Sequence, residues 1–209
     1  MNKTTIIPPS GVSAPGESQR HPLDAFRFCP RCGHDPLSTE HERAVRCGVC
    51  GFLFFFNTAA ASAAFLFHAD KLILCVRARE PGRDKLDLPG GFVEYDESLE
   101  QGLQREIREE LNIVTEDLTY LCSAPNDYLY AGVLYKVTDL FFTGVVKDIE
   151  GIEPADDVGG YVLVKPEDID PARFAFPSTR TAFQYLLSLL PAYRHATYPH
   201  SRHSLSAEL

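Results

Sequence analysis

The stretch over residues 88–113 constrains the fold more than any other part of the chain, because it joins a Gly-Gly turn to a helix with dense carboxylates. Ser98 and Gln101 have the types and spacing of a capping box, in which each side chain satisfies a free backbone amide at the start of a helix. Apolar residues then recur every four positions, at Leu99, Leu103, Ile107 and Leu111. This period predicts an amphipathic helix whose apolar stripe packs on a core.

Three glutamates, Glu106, Glu109 and Glu110, project from other parts of this helix. Glu106 and Glu110 are one turn apart on a common face, and Glu109 lies beside them. Carboxylates at this density repel one another, and a hard divalent cation such as Mg²⁺ or Mn²⁺ relieves the repulsion. Taken alone, the same charge run also fits a solvated helix face that is paired locally with Arg105 and Arg108.

The spacing of the fixed residues favours the cation site. Gly91 is followed after five residues by Glu97, and after seven more by the run REIREELNI, which begins at Arg105. This pattern resembles the Nudix box, G-x5-E-x7-R-E-U-x-E-E-x-G-U with U aliphatic. The one departure is Asn112, where the family has Gly. Asn is the next most tolerant residue of the left-handed backbone that a helix end requires, so we expect the loop geometry to be kept.

The resemblance implies both a reaction and the residues that perform it. Nudix enzymes hydrolyse a nucleoside diphosphate linked to another moiety, by attack of metal-activated water on a P–O–P bridge. The implied ligands of Mg²⁺ or Mn²⁺ are Glu106, Glu109, Glu110 and the carbonyl of Gly90. The structural positions of the box are Gly91, Glu97 and Arg105, with Glu97 paired to Arg105. The proton acceptor stays open between the same glutamates and a later acidic loop that contains Glu153, Asp156 and Asp157.

The distribution of charge agrees with a cation site. The chain has a formal net charge of −9, and eight acids against two arginines give residues 87–110 a net charge of −6. An acidic site accommodates a polyanionic substrate only when cations lie between the two. The negative charge also makes nucleic acid an unlikely partner, because nucleic-acid binding requires a basic footprint.

The chain length of 209 residues, with 44% apolar content, allows one full core and a small accessory module. Residues 1–25, which contain four prolines, are predicted to form a disordered tail, and the polar residues 191–209 a flexible one. No run approaches the roughly 18 apolar residues of a membrane span. The N-terminus also lacks the apolar core of a signal peptide, so we expect a cytoplasmic protein.

The accessory module is predicted over residues 26–56. Two Cys-x2-Cys pairs, each followed by a Gly, provide four thiolates at Cys29, Cys32, Cys47 and Cys50. This spacing is typical of a zinc ribbon with a structural, tetrahedral Zn²⁺. Disulfides and substitution of His34 or His41 as ligands are the weaker alternatives. Cys75 and Cys122 stand singly in apolar runs and are interpreted as buried small residues.

Residues 57–190 are predicted to form the Nudix hydrolase domain. A β-hairpin is expected with its turn near Ala69 and Asp70. Further strands are predicted at 118–123, 129–137, 139–146 and 161–164, followed by a helix at 181–190. Together with the resemblance, this order implies an α/β fold of Nudix type, an α/β/α sandwich with a mixed sheet.

Several basic and aromatic residues are candidates for binding substrate. The basic ones lie after the predicted hairpin, at Arg77, Arg79, Arg83 and Lys85. A solvated surface position fits each of them equally well. The aromatic ones are Tyr128, Tyr130 and Tyr135, which either stack on a base or pack as strand residues.

A zinc ribbon directly before a Nudix box is similar to the arrangement in the NADH pyrophosphatase subfamily. Its signature SQPWPFPxS is replaced by SAPNDY from Ser123, and the chain contains no Trp. We therefore predict a Mg²⁺-dependent pyrophosphohydrolase with ADP-ribose, dinucleotides and NAD(H) as leading substrate classes. The alternative is a non-catalytic protein that senses a nucleotide or binds nucleic acid or a protein partner. The family resemblance also suggests a homodimer.

Overall fold

The fold was obtained as a computed structural model, which describes Leu23, residues 26–35, 37–115 and 117–190, and the backbone of 191–197. A small N-terminal module precedes a larger α/β unit. The small module is an antiparallel sheet in the order β1-β2-β3, with strands β1 (Ser38–His41), β2 (Ala44–Arg46) and β3 (Leu53–Phe55). Each Cys-x2-Cys turn closes on its glycine, since the Gly33 and Gly51 amides donate to the carbonyls of Cys29 and Cys47.

The larger unit is built on a seven-stranded sheet. Its strands are β4 (Ala59–His68), β5 (Lys71–Arg77), β6 (Leu86–Asp87), β7 (Gly90–Phe92), β8 (Thr119–Tyr130), β9 (Val133–Val145) and β10 (Val158–Val164). The main order is β10-β5-β4-β9-β8, with β6 paired to β5 and β7 to β4. The β4 and β9 strands are parallel and the other pairs are antiparallel, so the sheet is mixed, as predicted.

Two helices cover the two faces of this sheet. Helix α1 (Leu99–Leu111) packs through Leu103 and Ile107 on the face that presents Leu66. Helix α2 (Pro177–Thr197) packs through Phe183 on the face that presents Phe65. Successive residues of β4 point to opposite faces, so this one strand contributes to both cores. The predicted α/β/α sandwich is confirmed.

The predicted division of the strands after α1 was wrong. The sequence suggested separate strands at 118–123 and 129–137, but β8 and β9 are two long strands joined at Ala131 and Gly132. Both turn residues have positive φ, 49° and 78°, which suits a tight hairpin turn. β8 also continues through Pro125, which an edge strand tolerates because one side of its backbone needs no ladder hydrogen bond.

Helix α2 is longer than the predicted helix at 181–190, and the predicted C-terminal tail begins inside it. Pro177 occupies the first turn, where a missing N–H leaves no hydrogen bond unmade. Strand β10 likewise begins at Val158, before the predicted start at Tyr161. The hairpin turn at Ala69 and Asp70 is confirmed. Apart from Leu23, the predicted tail at 1–25 lies outside the described residues, and so do residues 198–209.

Candidate active site

Helix α1 carries two of the predicted glutamates into one cavity. Ser98 caps the helix, its hydroxyl accepting from the Gln101 amide while the Gln101 side chain accepts from the Ser98 amide. The cavity has a volume of about 270 Å³, and Glu106 and Glu110 both line it. Glu109 does not belong to its lining, because its half-exposed carboxylate lies beside Arg105.

Glu110 is held at the buried end of this pair. The residue is 8% exposed, and its Oε2 accepts a hydrogen bond of 2.9 Å from the backbone N–H of Gly90. Burial raises the pKa of Glu110 to about 8, and the nearby Glu106 charge adds to the effect. Burial also raises the pKa of Glu106, although Arg105 opposes the shift. A buried and a partly buried carboxylate in one cavity are an unfavourable arrangement unless a cation or protons compensate them.

Gly90 and Gly91 allow the backbone to approach the helix closely. Gly90 has φ of 141°, and a Cβ there would lie 2.2 Å from the carbonyl oxygen of Ser62. A Cβ on Gly91 would lie 2.6 Å from the carboxylate of Glu106. Any larger residue at either position therefore displaces a strand or a catalytic candidate. The structure assigns the Gly90 N–H to Glu110, and the role of the Gly90 carbonyl as a metal ligand stays a prediction.

Arg105 organises the rim of the site. Its guanidinium donates to both oxygens of Glu97 at 2.8 and 3.1 Å, and to the carbonyl of Phe92 at 3.0 Å. The remaining nitrogen donates to Glu106 and to Glu109, both at 3.0 Å. The hydrogen bonds to Glu97 raise the pKa of Arg105 further above its ordinary value. The pairing expected from the motif is thus present, and it fixes the loop before α1 to the helix.

The end of α1 has the geometry expected for Asn112. This residue adopts a left-handed backbone, with φ of 55° and ψ of 32°, and its N–H donates to the carbonyl of Arg108. The acidic loop is attached at the same end, since the Ala155 amide donates to the Glu110 carbonyl at 3.0 Å. The Glu153 amide donates to the Leu111 carbonyl at 3.2 Å.

Within the acidic loop, the side chains differ in their access to the cavity. Asp156 and Asp157 line it, whereas the exposed Glu153 does not belong to its lining. Asp157 forms an ion pair of 2.7 Å with Arg79. The sequence offers no basis for choosing among these three acids, and the structure shows which of them line the cavity.

The basic candidates are also divided. Arg77 lines the cavity, where it donates to Asp87 at 2.8 Å and to the Pro81 carbonyl at 2.7 Å. Its guanidinium lies 4.9 Å from the ring centroid of Phe176. Burial raises the pKa of Asp87 although Arg77 opposes the shift. The side chain of Arg79 is largely exposed, and Lys85 and Arg83 are exposed residues outside the cavity lining.

Aromatic residues form one wall of the cavity. Tyr128 lines it and contacts Phe176 and Phe92, with ring centroids 5.9 and 5.5 Å away. Tyr130 stacks beside Tyr128 at 6.1 Å but is 57% exposed and outside the lining. Tyr135 instead contacts Phe56, at 6.1 Å between centroids.

Polar residues that the sequence reasoning missed complete the lining. They are Ser62, Asp87, Glu94, Asn126, Asp139 and Thr179. Asp139 accepts a hydrogen bond of 2.5 Å from the Ser178 hydroxyl, and burial raises the pKa of Asp139 to about 6. Asn126 offered a signal, because it stands at an inward position of a strand whose other inward residues are apolar or aromatic.

The four ribbon cysteines meet at one point. Their sulfur atoms all lie within 4.8 Å of one another, and the pairs Cys29–Cys50 and Cys32–Cys47 are 3.6 Å apart. Tetrahedral Zn²⁺ with bonds of about 2.3 Å separates its sulfur ligands by about 3.8 Å, so the cluster has the size of a zinc site. Backbone N–H donation at Cys50 lowers the pKa of Cys47, which favours the thiolate that metals bind. His34 and His41 lie outside this cluster.

Comparison with known proteins identifies the family. Residues 57–185 match the NUDIX domain family. The chain is 31% identical over 112 residues to the NAD-capped RNA hydrolase NudC of Haemophilus influenzae (strain PittGG), covering 53% of this chain and 42% of that protein. It is 34% identical over 101 residues to the protein of the same name from Yersinia pestis (strain Pestoides F), covering 48% and 38%. The chain thus spans about two fifths of the length of these curated relatives.

A solved structure supports the same fold. The crystal structure of a NUDIX hydrolase from Nitrosomonas europaea superposes with a TM-score of 0.61 at 24% identity, covering 81% of this chain and 93% of that one. The chain belongs to the NUDIX domain family, as its box predicted. Neither helix among the described residues combines the length and apolar character needed to cross a membrane.

Proposed function

We propose that this chain is a divalent-cation-dependent hydrolase that cleaves the P–O–P bridge of a nucleoside diphosphate derivative. The observation that carries the proposal is the placement of Glu106 and Glu110 in one cavity with Arg77 and Tyr128. The cavity thus combines carboxylates for a cation with a basic and an aromatic group for a nucleotide. Membership of the Nudix family supports the same reaction.

The donor set fits Mg²⁺ or Mn²⁺. Glu110 is buried, and among the described residues no Lys or Arg forms an ion pair with it. A cation bound by oxygen ligands would neutralise the negative charge of these carboxylates. The proposed ligands are Glu106, Glu109, Glu110 and the carbonyl of Gly90. When bound there, the cation would stabilise charge that develops on the phosphate oxygens and lower the pKa of the attacking water.

The chain's own groups have three proposed tasks around this centre. Arg105 holds the carboxylates of Glu106 and Glu109 in place through its two hydrogen bonds. Arg77 is fixed by Asp87 and contributes positive charge to the cavity wall. One of the acids takes the proton of the attacking water.

The choice of proton acceptor follows from each acid's access to the cavity. The motif glutamates and the acidic loop were both predicted to provide it. Asp156 lines the cavity and forms no ion pair with any described residue, whereas Asp157 is paired with Arg79 and Glu153 lies outside the lining. We therefore prefer Asp156 to Glu153 as the proton acceptor from the acidic loop. The motif glutamates Glu106 and Glu110 are the alternative.

The leading substrate classes are ADP-ribose, dinucleotides and NAD(H). The relatives named NAD-capped RNA hydrolase support a substrate with a dinucleotide pyrophosphate. The formal net charge of −9 favours a small nucleotide over a long nucleic acid. A cytoplasmic location and a homodimer remain predictions.

The four-cysteine cluster is proposed to hold a structural Zn²⁺. Four thiolates leave no ligand position for water or substrate, so the ion has no catalytic role. The ribbon has a small apolar interior that includes Ala44 and Val45, and metal binding is expected to supply much of its folding free energy.

Hydrolysis of a nucleotide panel with Mg²⁺ tests the proposal. The panel contains NADH, NAD⁺, ADP-ribose, FAD, diadenosine polyphosphates and nucleoside triphosphates. The Glu110→Gln variant should lower kcat by about 10²–10³, because it loses a proposed ligand of the cation that stabilises charge in the transition state. Glu100→Gln, in the exposed first turn of the same helix, is the matched control and should keep full activity. A folded, zinc-loaded protein that cleaves nothing on the panel would refute the proposal.

A further inference from the structure

The wall of the cavity that holds Glu106 and Glu110 also carries polar groups that the proposed hydrolysis does not use. Asn126 on β8 and Asp139 on β9 both line the cavity. In the β8–β9 register, Asn126 lies opposite Val137, and Ala124 lies opposite Asp139. The two polar residues are therefore diagonal neighbours on one face of the sheet.

Asn126 is a buried polar residue with an unmet hydrogen bond. It is 8% exposed, and its Oδ1 has no hydrogen-bond partner among the residues that the structure describes. Buried polar atoms in folded proteins are almost always paired, because an unpaired one loses its bonds to water without replacement. An unpaired acceptor on a cavity wall is therefore suited to a donor supplied by a ligand.

Asp139 presents a second acceptor beside it. Its Oδ2 is occupied by the Ser178 hydroxyl at 2.5 Å, and Ser178 is 1% exposed. The Asn126 side chain is a second hydrogen-bond donor to this carboxylate and lowers its pKa. The two oxygens of a carboxylate offer about four lone pairs together, so Asp139 can still accept from a further donor. Arg77 is the one basic residue in the cavity lining, and its guanidinium is already bound by Asp87 and Pro81. Asn126 and Asp139 thus offer acceptors that no basic side chain of the lining neutralises.

The neighbouring walls suit a flat ring. Tyr128 and Phe176 both line the cavity, with their centroids 5.9 Å apart and their planes inclined at 45°. Aromatic faces bind planar heterocycles by stacking, and this contact does not depend on which polar groups the ring edge carries. Recognition of that edge would then fall to Asn126 and Asp139.

We infer that Asn126 and Asp139 form a specificity subsite that accepts hydrogen bonds from an N–H₂ group on a heteroaromatic ring of the substrate. The inference rests on the proposed function, because the same cavity holds Glu106 and Glu110. Two ring types carry this chemistry, a nucleobase with an exocyclic amine and a pyridine ring with a primary carboxamide. Rings that lack the N–H₂ group leave both acceptors unpaired and bind more weakly.

Binding of mononucleotides, which have no bridge to hydrolyse, tests the subsite separately from catalysis. Isothermal titration with Mg²⁺ compares AMP with purine riboside monophosphate, GMP with IMP, and nicotinamide mononucleotide with nicotinic acid mononucleotide. We expect the N–H₂ member of at least one pair to bind roughly tenfold or more tightly. The pair that shows the preference identifies the ring.

Variants assign the preference to the two residues. Asn126→Leu removes the acceptor at similar size, and Asp139→Asn replaces one acceptor oxygen with a donor. Each should reduce the preference to about twofold or less. Asp127→Ala, which loses only the exposed pair with Lys136, should keep it. Thermal unfolding checks that each variant is folded. If Asn126→Leu does not fold, the Asp139→Asn variant carries the test.

The outcomes separate the subsite from the reaction. Equal binding within every pair, no binding of any mononucleotide, or a preference that persists in both variants overturns the inference. Hydrolysis of the nucleotide panel without such a preference leaves the proposed function intact and removes the subsite. A preference without hydrolysis supports the subsite and refutes the proposed function.

Discussion

The backbone N–H of Gly90 donates a 2.9 Å hydrogen bond to the buried carboxylate of Glu110, which joins strand β7 to helix α1. Gly90 reaches this position only because it has no side chain, since the carbonyl of Ser62 fills the space that a Cβ would take. Gly90 and the motif glutamate Glu110 are therefore one structural unit. A change in either alters the position of the other.

Gly90→Ala should destabilise the protein by more than the strain of a positive φ alone. A residue in sparsely populated backbone space costs about 1–3 kcal/mol, and the 2.2 Å approach to Ser62 adds a backbone clash. Gly132→Ala is the matched control, because Gly132 has φ of 78° and open space around it. Urea unfolding of the two variants measures the difference. Equal losses of stability would show that the close approach has no energetic effect.

Stability without divalent cations should fall as the pH rises. The pKa of Glu110 is about 8 in the folded chain against an ordinary value of 4.5, so the folded state binds more protons between these values. The free energy of unfolding then decreases with pH through this window, by up to about 1.4 kcal/mol per unit. Urea unfolding in Mg²⁺-free buffer from pH 5 to 8 measures this slope.

Mg²⁺ and one variant identify the source of that slope. Glu110→Gln should reduce the slope and leave the part due to Asp139, whose pKa is also raised, to about 6. Glu100→Gln should leave the slope unchanged. Mg²⁺ should raise the unfolding midpoint more at pH 8 than at pH 5, because the cation binds the ionised carboxylate. A Mg²⁺ effect of the same size at both pH values would contradict the assignment of Glu110 as a ligand.

The sequence allowed α1 and its motif to be predicted because their determinants are local. The Ser98 and Gln101 cap, the four-residue apolar period and the left-handed Asn112 all act within a few residues. The length of β8 depends instead on its place in the sheet. Only the tertiary arrangement shows that β8 is an edge strand, which accommodates Pro125 within it.

The cavity beyond the motif was less predictable for a similar reason. Asn126 and Asp139 are far from the box in sequence, and they meet because β8 and β9 pair in one particular register. A register shifted by one residue would turn one of them to the other face of the sheet. Arg77 and Lys85 looked equivalent as basic candidates, and only the fold places the first in the cavity and the second outside it.

Arg105→Lys should destabilise the site although it keeps the charge. Arg105 uses its planar fork to bind both oxygens of Glu97 and the Phe92 carbonyl, which an ammonium cannot match. We expect a loss of about 1–3 kcal/mol in the free energy of unfolding. Arg108→Lys, at an exposed position of the same helix, is the control and should change stability little. Comparable effects in both variants would remove the argument for a geometric role of Arg105.

Zinc content should depend on the ribbon cysteines and not on the buried single ones. Cys47→Ser removes one of four ligands and should lower the metal content well below one ion per chain. Cys75→Ser changes a buried cysteine of β5 and should retain one ion. Elemental analysis of the purified proteins gives the stoichiometry. Full zinc content in Cys47→Ser would place the metal elsewhere.

Asp156→Asn should slow hydrolysis more than Glu153→Gln does. Asp156 lines the cavity, whereas Glu153 lies outside the lining and contacts α1 through its backbone amide, which the substitution keeps. Loss of a general base lowers kcat by about 10²–10⁴, so Asp156→Asn should show a decrease of this size. Glu153→Gln should remain within about twofold of the wild type. The measurement is kcat of both variants on the best substrate of the panel. A large decrease in Glu153→Gln alone would make Glu153 the proton acceptor. Two active variants would assign that role to Glu106 or Glu110.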